Sequence, residues 1–312
     1  MQWEDRIGRR LRLKDLHTLQ TVAEVGSMAK ASKRLALSQP AVSKAISDME
    51  QTLGAPLLDR FSSGVELTEC GRLLVERGRV IFDEVKQGIR DIEHLSDPTR
   101  GEVKIGTIGP VTAVVSEIIC QLTRKYPRII YHVKVSEPDT LERELRERAL
   151  DVAVTRWSSR LVADDLAAEV LYKSTLAVMA DKSHPMVARK RLALADLMQE
   201  QWTLSPPESF LGRIGVDVFR RRKLALPRTI VTTISTYMRL NLLASGRFLS
   251  LLPTTLLQHR SNNAWLRALN VDLSDSTGPV ALITVRKRRS VGAVKLFQEA
   301  SRAVCKAFSD PR

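Results

Sequence analysis

Near the start of the chain the apolar positions Leu13, Leu16, Leu19, Val22 and Ala23 recur three or four residues apart. That spacing predicts an amphipathic helix, closed by Gly26, the residue type suited to the left-handed position after a helix. Ser27 is placed to cap a second helix carrying Ala29, Ala31 and Leu35. After Ala36-Leu37, the run Ser38-Gln39-Pro40 combines a capping serine with a first-turn proline. The third helix that follows has Val42, Ile46, Met49 and Leu53 on one face and stops at Gly54-Ala55-Pro56. Leu57–Phe61 and Val65–Thr68 then read as two short strands around the turn Ser62-Ser63-Gly64, a β-hairpin that would form a wing.

Thr68 can cap a long helix from about Cys70 to Leu95. Leu74, Gly78, Ile81, Val85, Gly88, Ile92 and Leu95 follow the alternating four- and three-residue steps of a coiled-coil seam, which implies pairing with another helix. Packing of this helix on its own domain is the alternative. The turn formers and proline of Ser96–Gly101 break the pattern.

Beyond the break, a strand at Val103–Ile108, a helix at Val114–Tyr126, a strand at Ile129–Val135, a helix at Leu141–Ala149 and a strand at Asp151–Thr155 make a βαβαβ unit. Such alternation implies a parallel sheet. Further strands are expected at Thr175–Ala180, Trp202–Leu204, Thr229–Thr233, Phe248–Leu252 and Val280–Val285, with helices at Tyr237–Ser245 and Val291–Phe308. Two α/β lobes fit this texture better than one. The resulting division is residues 11–69, a linker helix over 70–97, and a C-terminal domain over 102–312. Within that domain, lobe I takes 102–173 and 277–312, and lobe II takes 174–276.

Length agrees with several folding units, since 312 residues is about twice the usual single domain. A content of 44% hydrophobic against 27% charged residues excludes disorder as the main state. The charged N-terminus Met1–Arg6 lacks the apolar core of a signal peptide, and no apolar run approaches the ~18 residues of a membrane span. A cytoplasmic protein with no membrane partner is expected. Cys70, Cys120 and Cys305 are odd in number and far apart, and the five histidines have no ligand spacing, so neither disulfide nor metal site is expected. Hydrolase and nucleotide-binding signatures are likewise absent, so neither catalytic residues nor a cofactor is assigned.

The formal charge of +14 points to an anionic partner, but its distribution is uneven. The first hundred residues hold 16 basic and 15 acidic side chains, leaving 33 and 20 for the remainder. Global charge therefore misplaces the DNA-binding surface, which local pattern locates. Between Val25 and Ser47 no acidic residue occurs, while Lys30, Lys33, Arg34 and Lys44 all lie inside. Two capped helices joined by a tight turn have the layout of a helix-turn-helix, whose basic face would meet phosphates; a helical hairpin used only for packing or as a dimer interface is the alternative. In that reading Gln39, Ser43 and Lys44 would reach base edges in the major groove, and Ser38 with the helix N-terminus would add a phosphate contact.

Over nearly its whole length the sequence resembles the LysR-type transcriptional regulators. The resemblance is most specific from Leu16 to Gly71, in Val22-Ala23-Glu24-Val25-Gly26-Ser27, Ser38-Gln39-Pro40-Ala41-Val42-Ser43-Lys44, Leu53-Gly54-Ala55-Pro56-Leu57, Arg60, and Leu67-Thr68-Glu69-Cys70-Gly71. It implies an α+β winged helix-turn-helix on double-stranded DNA, contacted by Lys30, Lys33, Arg34, Ser38, Gln39, Pro40, Ser43, Lys44 and Arg60. It further implies a dimerising linker helix and a two-lobed α/β effector domain of periplasmic-binding-protein type. Homodimers or homotetramers follow, with RNA polymerase as a further partner. Leu19, Leu58 and Met49 depart from the family's usual Phe, Phe and Leu, and the wing tip lacks its common basic residues.

Ligands of such folds sit at the carboxyl ends of strands, between lobes. That rule selects Pro110, Val111 and Thr112, Arg156, Ser205 and Pro206, and Ser235 and Thr236. Some family members that sense aromatic acids carry an Arg at the position of Arg156, so the resemblance implies a small anionic effector, a carboxylate. A salt bridge at the lobe interface or the surface is the alternative for this residue. Arg220–Lys223 and Arg286–Arg289 are read as solvated faces, the latter near a lobe or subunit interface. Against the regulator stand a bilobal enzyme tethered to DNA and a regulator that responds to no effector.

Overall fold

The computed structural model describes residues 10–97, 99–157, 165–258 and 260–309. Pro98 of the expected turn, His259 and the N-terminal run Met1–Arg6 lie outside them. The chain divides into two compact units, Met1–Ile89 and Arg90–Arg312.

In the first unit, helices α1 (Leu13–Val25), α2 (Met28–Leu35) and α3 (Gln39–Leu53) precede a hairpin of β1 (Leu58–Phe61) and β2 (Gly64–Leu67). Helix α4 (Glu69–Ser96) follows and continues into the second unit. The periodic apolar positions do what their spacing demands: Leu19, Val22, Ala31, Val42, Ile46 and Met49 are fully buried in one core. Gly26 and Gly54 end α1 and α3 with positive φ of 64° and 70°. Gly64 is required for close approach, because a Cβ there would lie 2.6 Å from the carbonyl oxygen of Gly26. That carbonyl also accepts the Val65 N–H at 3.1 Å, so the wing is pinned to the turn between α1 and α2. The Glu50 carboxylate holds the other end of the hairpin by accepting the N–H groups of Leu57 and Leu58 at 2.8 and 3.3 Å.

The second unit continues with β3 (Arg100–Thr107), α5 (Thr112–Lys125), β4 (Arg128–Val135), α6 (Pro138–Arg146), β5 (Val152–Arg156), β6 (Leu166–Ser174) and β7 (Leu176–Asp181). Next come β8 (Gln201–Leu204), α7 (Phe210–Arg221), β9 (Thr229–Thr232), α8 (Thr236–Ala244), β10 (Phe248–Pro253), α9 (Arg260–Asn263) and β11 (Leu266–Ala268), then β12 (Gly278–Val285) and α10 (Gly292–Ser309). Two five-stranded sheets result, ordered β4-β3-β5-β12-β6 in lobe I and β11-β7-β10-β8-β9 in lobe II. The expected parallel pairing of β3 with β4 and β5 is present, but β12 runs antiparallel to β5 and β6. Strands β6 and β11 and helix α7 were not expected from the pattern. The long β6 exposes Ala168, Glu169 and Val170 in succession, so its sequence lacks the alternation of a half-buried strand.

The chain crosses between lobes at Ser174–Leu176 and again at Ser276–Gly278. There the hydroxyls of Thr175 and Thr277 lie 2.7 Å apart, and the Leu176 N–H donates to Ser276 Oγ at 3.0 Å. Lobe I is further tied by Asp151, whose buried carboxylate accepts from the Lys104 N–H at 2.9 Å, Arg90 Nη1 at 3.1 Å and Arg288 Nη2 at 3.0 Å. Arg288 thus departs from the solvated face expected for its run: its side chain is only 6% exposed. In lobe II, Arg221 and Arg222 instead bind Asp275 near the surface.

Candidate DNA-binding surface and effector cleft

The α2–α3 hairpin positions its polar side chains through its own caps. Ser27 Oγ accepts the Lys30 N–H at 3.4 Å and Ser38 Oγ accepts the Ala41 N–H at 3.3 Å, which fixes where each helix starts. With Val42, Ile46 and Met49 turned into the core, Gln39, Pro40 and Lys44 are exposed on the opposite face of α3, and Ser43 is half-buried beside them. Ser38, Lys30, Lys33 and Arg34 are exposed as well. Arg34 is shared with Glu24 in an ion pair of 3.0 Å, so part of its charge is committed locally. Arg60 is exposed on β1. Among the described residues, this first unit therefore presents one helix whose outward side chains can donate to and accept from base edges, flanked by cations suited to phosphates.

Between the lobes the structure gives a narrow seam lined by Ile108, Gly109, Pro110, Glu137, Pro138, Ser205, Phe210, Leu211 and Ile234, with room for about 10 Å³. Pro110 and Ser205 of the expected set line it. The seam is closed by protein groups: Glu137 of lobe I accepts the Phe210 N–H at the start of α7 at 2.8 Å. A carboxylate at a helix N-terminus meets both unpaired N–H groups and the positive end of the helix dipole. Gly109 packs so closely on lobe II that a Cβ there would lie 2.6 Å from Thr236 Oγ1.

The other expected cleft residues serve neighbouring roles. Thr112 Oγ1 donates to the Gly109 carbonyl at 2.6 Å, and Ser235 Oγ accepts the Met238 N–H at 3.2 Å as the cap of α8. Thr236 is buried, and the Pro206 carbonyl accepts the Ser209 hydroxyl at 2.7 Å, shaping the turn into α7. Val111 departs from the expectation of ligand contact, because its side chain is part of the lobe I core.

Two sequence profiles cover this architecture. Residues 13–72 match the bacterial regulatory helix-turn-helix protein, lysR family, and residues 96–306 match the LysR substrate binding domain. The chain belongs to the LysR family. It is accordingly a DNA-binding transcriptional regulator with an effector-binding domain, and not an enzyme.

Among relatives of this LysR-family protein, the regulator GbpR of Azospirillum brasilense is 27% identical over 290 residues, covering 92% of this chain and 81% of GbpR. The regulator TdcA of Escherichia coli strain K12 is 28% identical, with 80% of each chain covered. In fold it resembles a full-length OxyR variant from Pseudomonas aeruginosa, with a TM-score of 0.66 at 19% identity and 95% of each chain covered. It also resembles full-length CbnR complexed with its target DNA, with a TM-score of 0.53 at 20% identity, covering 95% of this chain and all of CbnR.

Against the family expectation, Arg156 of this regulator does not line the seam. Its guanidinium donates to the Ser276 carbonyl, packs against Gly278 and is buried, and burial pulls its pKa below the usual arginine value. A side chain at the end of β5 reaches the crossover to lobe II because β12 enters the sheet as β5's neighbour, a pairing the sequence pattern does not reveal. Glu137, conversely, went unassigned in the sequence reading. Its signal is the pair Glu137-Pro138, which begins α6 with a carboxylate that does not cap its own helix and so is available to lobe II.

Proposed function

We propose that this regulator binds specific double-stranded DNA as a homodimer or homotetramer in the cytoplasm and changes its hold on DNA when a small anionic effector enters between the lobes. The observation that carries the DNA reading is the α3 face, polar and exposed where its other face is fully buried. Pairing through α4 is supported by an apolar stripe left open in the single chain: Ile81, Val85, Ile92 and Leu95 are exposed, Leu95 by 84%. Burying such a stripe against a second copy is the ordinary solution for a helix of this period. The two recognition helices of a dimer would then address two half-sites, and RNA polymerase contact would relay the output.

An anionic effector is supported by the use the protein makes of its own carboxylate. Glu137 occupies the α7 N-terminus, so an incoming carboxylate competes for the same N–H groups, and its binding opens the seam. The lobe arrangement then shifts by the difference in affinity for the two states. Pro110, Ser205, Thr112 and Ser235 border the path, while Arg156 acts through the crossover rather than by touching the ligand.

The test of the first reading is a footprint of the purified protein on affinity-selected genomic fragments at stated salt, because phosphate contacts make binding strongly salt-dependent. Protection of two-fold-related half-sites is the expected result, and absence of any sequence preference refutes it. For the cleft, Glu137→Gln is expected to weaken closure and raise the apparent affinity for an anionic effector by about 10- to 150-fold, the range of one charged hydrogen bond. Unchanged or lower affinity in the titration removes Glu137 from the gate.

A further inference from the structure

Lobe II contains a cavity of about 260 Å³, separate from the effector seam except for shared lining at Ser205 and Leu211. It lies under α7, against the ends of β8 and β10, and its walls are mainly apolar. One wall group is a cation. Arg239 begins on α8, on the sheet face packed with Leu243, yet lines the cavity together with Leu204 and Leu251 from the other face. Its side chain is 1% exposed, and Nη1 donates to the Leu251 carbonyl at 3.3 Å. Nε and Nη2 have no partner among the described residues.

This arrangement is expensive in a folded protein. A buried guanidinium is normally matched by a carboxylate or fully hydrogen-bonded, since leaving it unpaired forfeits its hydration without return. Here burial pushes the Arg239 pKa down to about 10, with no carboxylate among the described residues acting in the opposite sense. Even so, at neutral pH the group stays charged, with two N–H donors beside an apolar chamber. Neutral packing would have been served better by leucine or methionine at this position.

We propose that the lobe II cavity is a binding site for a small, largely apolar monocarboxylate, whose carboxylate pairs with Arg239 and whose hydrocarbon body fills the chamber under α7. Cavity size sets the class. An apolar cavity of ~150 Å³ accepts a benzene ring, so 260 Å³ takes a ring or branched chain with a short acidic arm. The bidentate geometry of guanidinium and carboxylate suits the two free donors. Thr229 and Thr232 add hydroxyls at the rim for a single polar substituent. Because the cavity shares Ser205 with the seam, its occupancy would bias the turn from β8 into α7, the element that Glu137 holds from lobe I.

Calorimetric titration of the full chain with phenylacetate and 4-methylpentanoate, each against its neutral amide, tests the site. The acids are expected to bind, and the amides to bind about 30-fold or more weakly, the penalty of leaving a buried charge unpaired. Arg239→Met should abolish acid binding while the melting temperature of the ligand-free protein stays equal or rises, since an unpaired buried charge has been removed. A purely structural arginine would lower it. Gly215→Leu should also abolish binding with Arg239 intact: a Cβ at Gly215 meets Leu251 Cδ1 at 3.6 Å, an ordinary contact, and the rest of the side chain fills the chamber. Failure of both acids to bind at millimolar concentration, equal binding of acid and amide, or undiminished binding by Arg239→Met overturns the proposal. A footprint repeated with phenylacetate separates this site from the effector reading: bound acid with an unaltered footprint upholds the site and detaches it from DNA control.

Discussion

Ser43→Ala and Lys44→Ala are each expected to lower affinity for a selected operator by about 5- to 150-fold, the range of one base contact. Dimerisation and melting temperature should stay unchanged, because both side chains lie off the buried face of α3 that carries Val42, Ile46 and Met49. The two variants also separate roles. A base contact loses discrimination against altered operators, whereas a phosphate contact weakens all DNA alike and reduces the salt slope by about one. Electrophoretic or fluorescence titrations at several salt concentrations read both effects. Full operator affinity in both variants would place a different element in the groove.

Asp151→Ala is expected to have the largest effect on stability. Its carboxylate is 2% exposed and joins the Lys104 N–H in the middle of β3 to Arg90 on α4 and Arg288 after β12. Removing it takes the Asp151 ion pair from the buried Arg288 guanidinium, at a cost of about 3–5 kcal/mol. For a unit of this size that corresponds to a fall in melting temperature of roughly 6 to 20 °C. Calorimetry of Asp151→Ala, Arg288→Met and the double variant measures the coupling. The double variant should recover part of the loss, because the buried guanidinium is then gone and the remaining cation, Arg90, is 28% exposed. A single-variant loss below about 1 kcal/mol would reduce the triad to an ordinary surface pair.

These expectations draw differently on sequence and structure. The DNA-binding helix was legible because its determinants are local: the caps Ser27 and Ser38, the proline at the start of α3, and the three- and four-residue spacing of its buried face. Local rules also placed α4 and its open apolar stripe. At the seam between the lobes, the expected residues Pro110 and Ser205 line the gap, whereas Arg156 turns to the crossover and Glu137, which the sequence did not single out, bridges to α7.

Local propensity and periodicity thus determined the helix-turn-helix, the wing, the linker helix and the alternation that makes two α/β lobes. Tertiary structure alone decided the partners of the charged groups. Strand order brought β12 beside β5 and so sent Arg156 to the Ser276 carbonyl. The folding of lobe I on lobe II put Glu137 against the Phe210 N–H, and the packing of α8 on the lobe II sheet brought Arg239 to the Leu251 carbonyl and the cavity wall. A charge in a sequence has the same appearance whether it is solvated, paired or alone, because its energy depends on the dielectric and the groups around it, and those come from residues dozens of positions away.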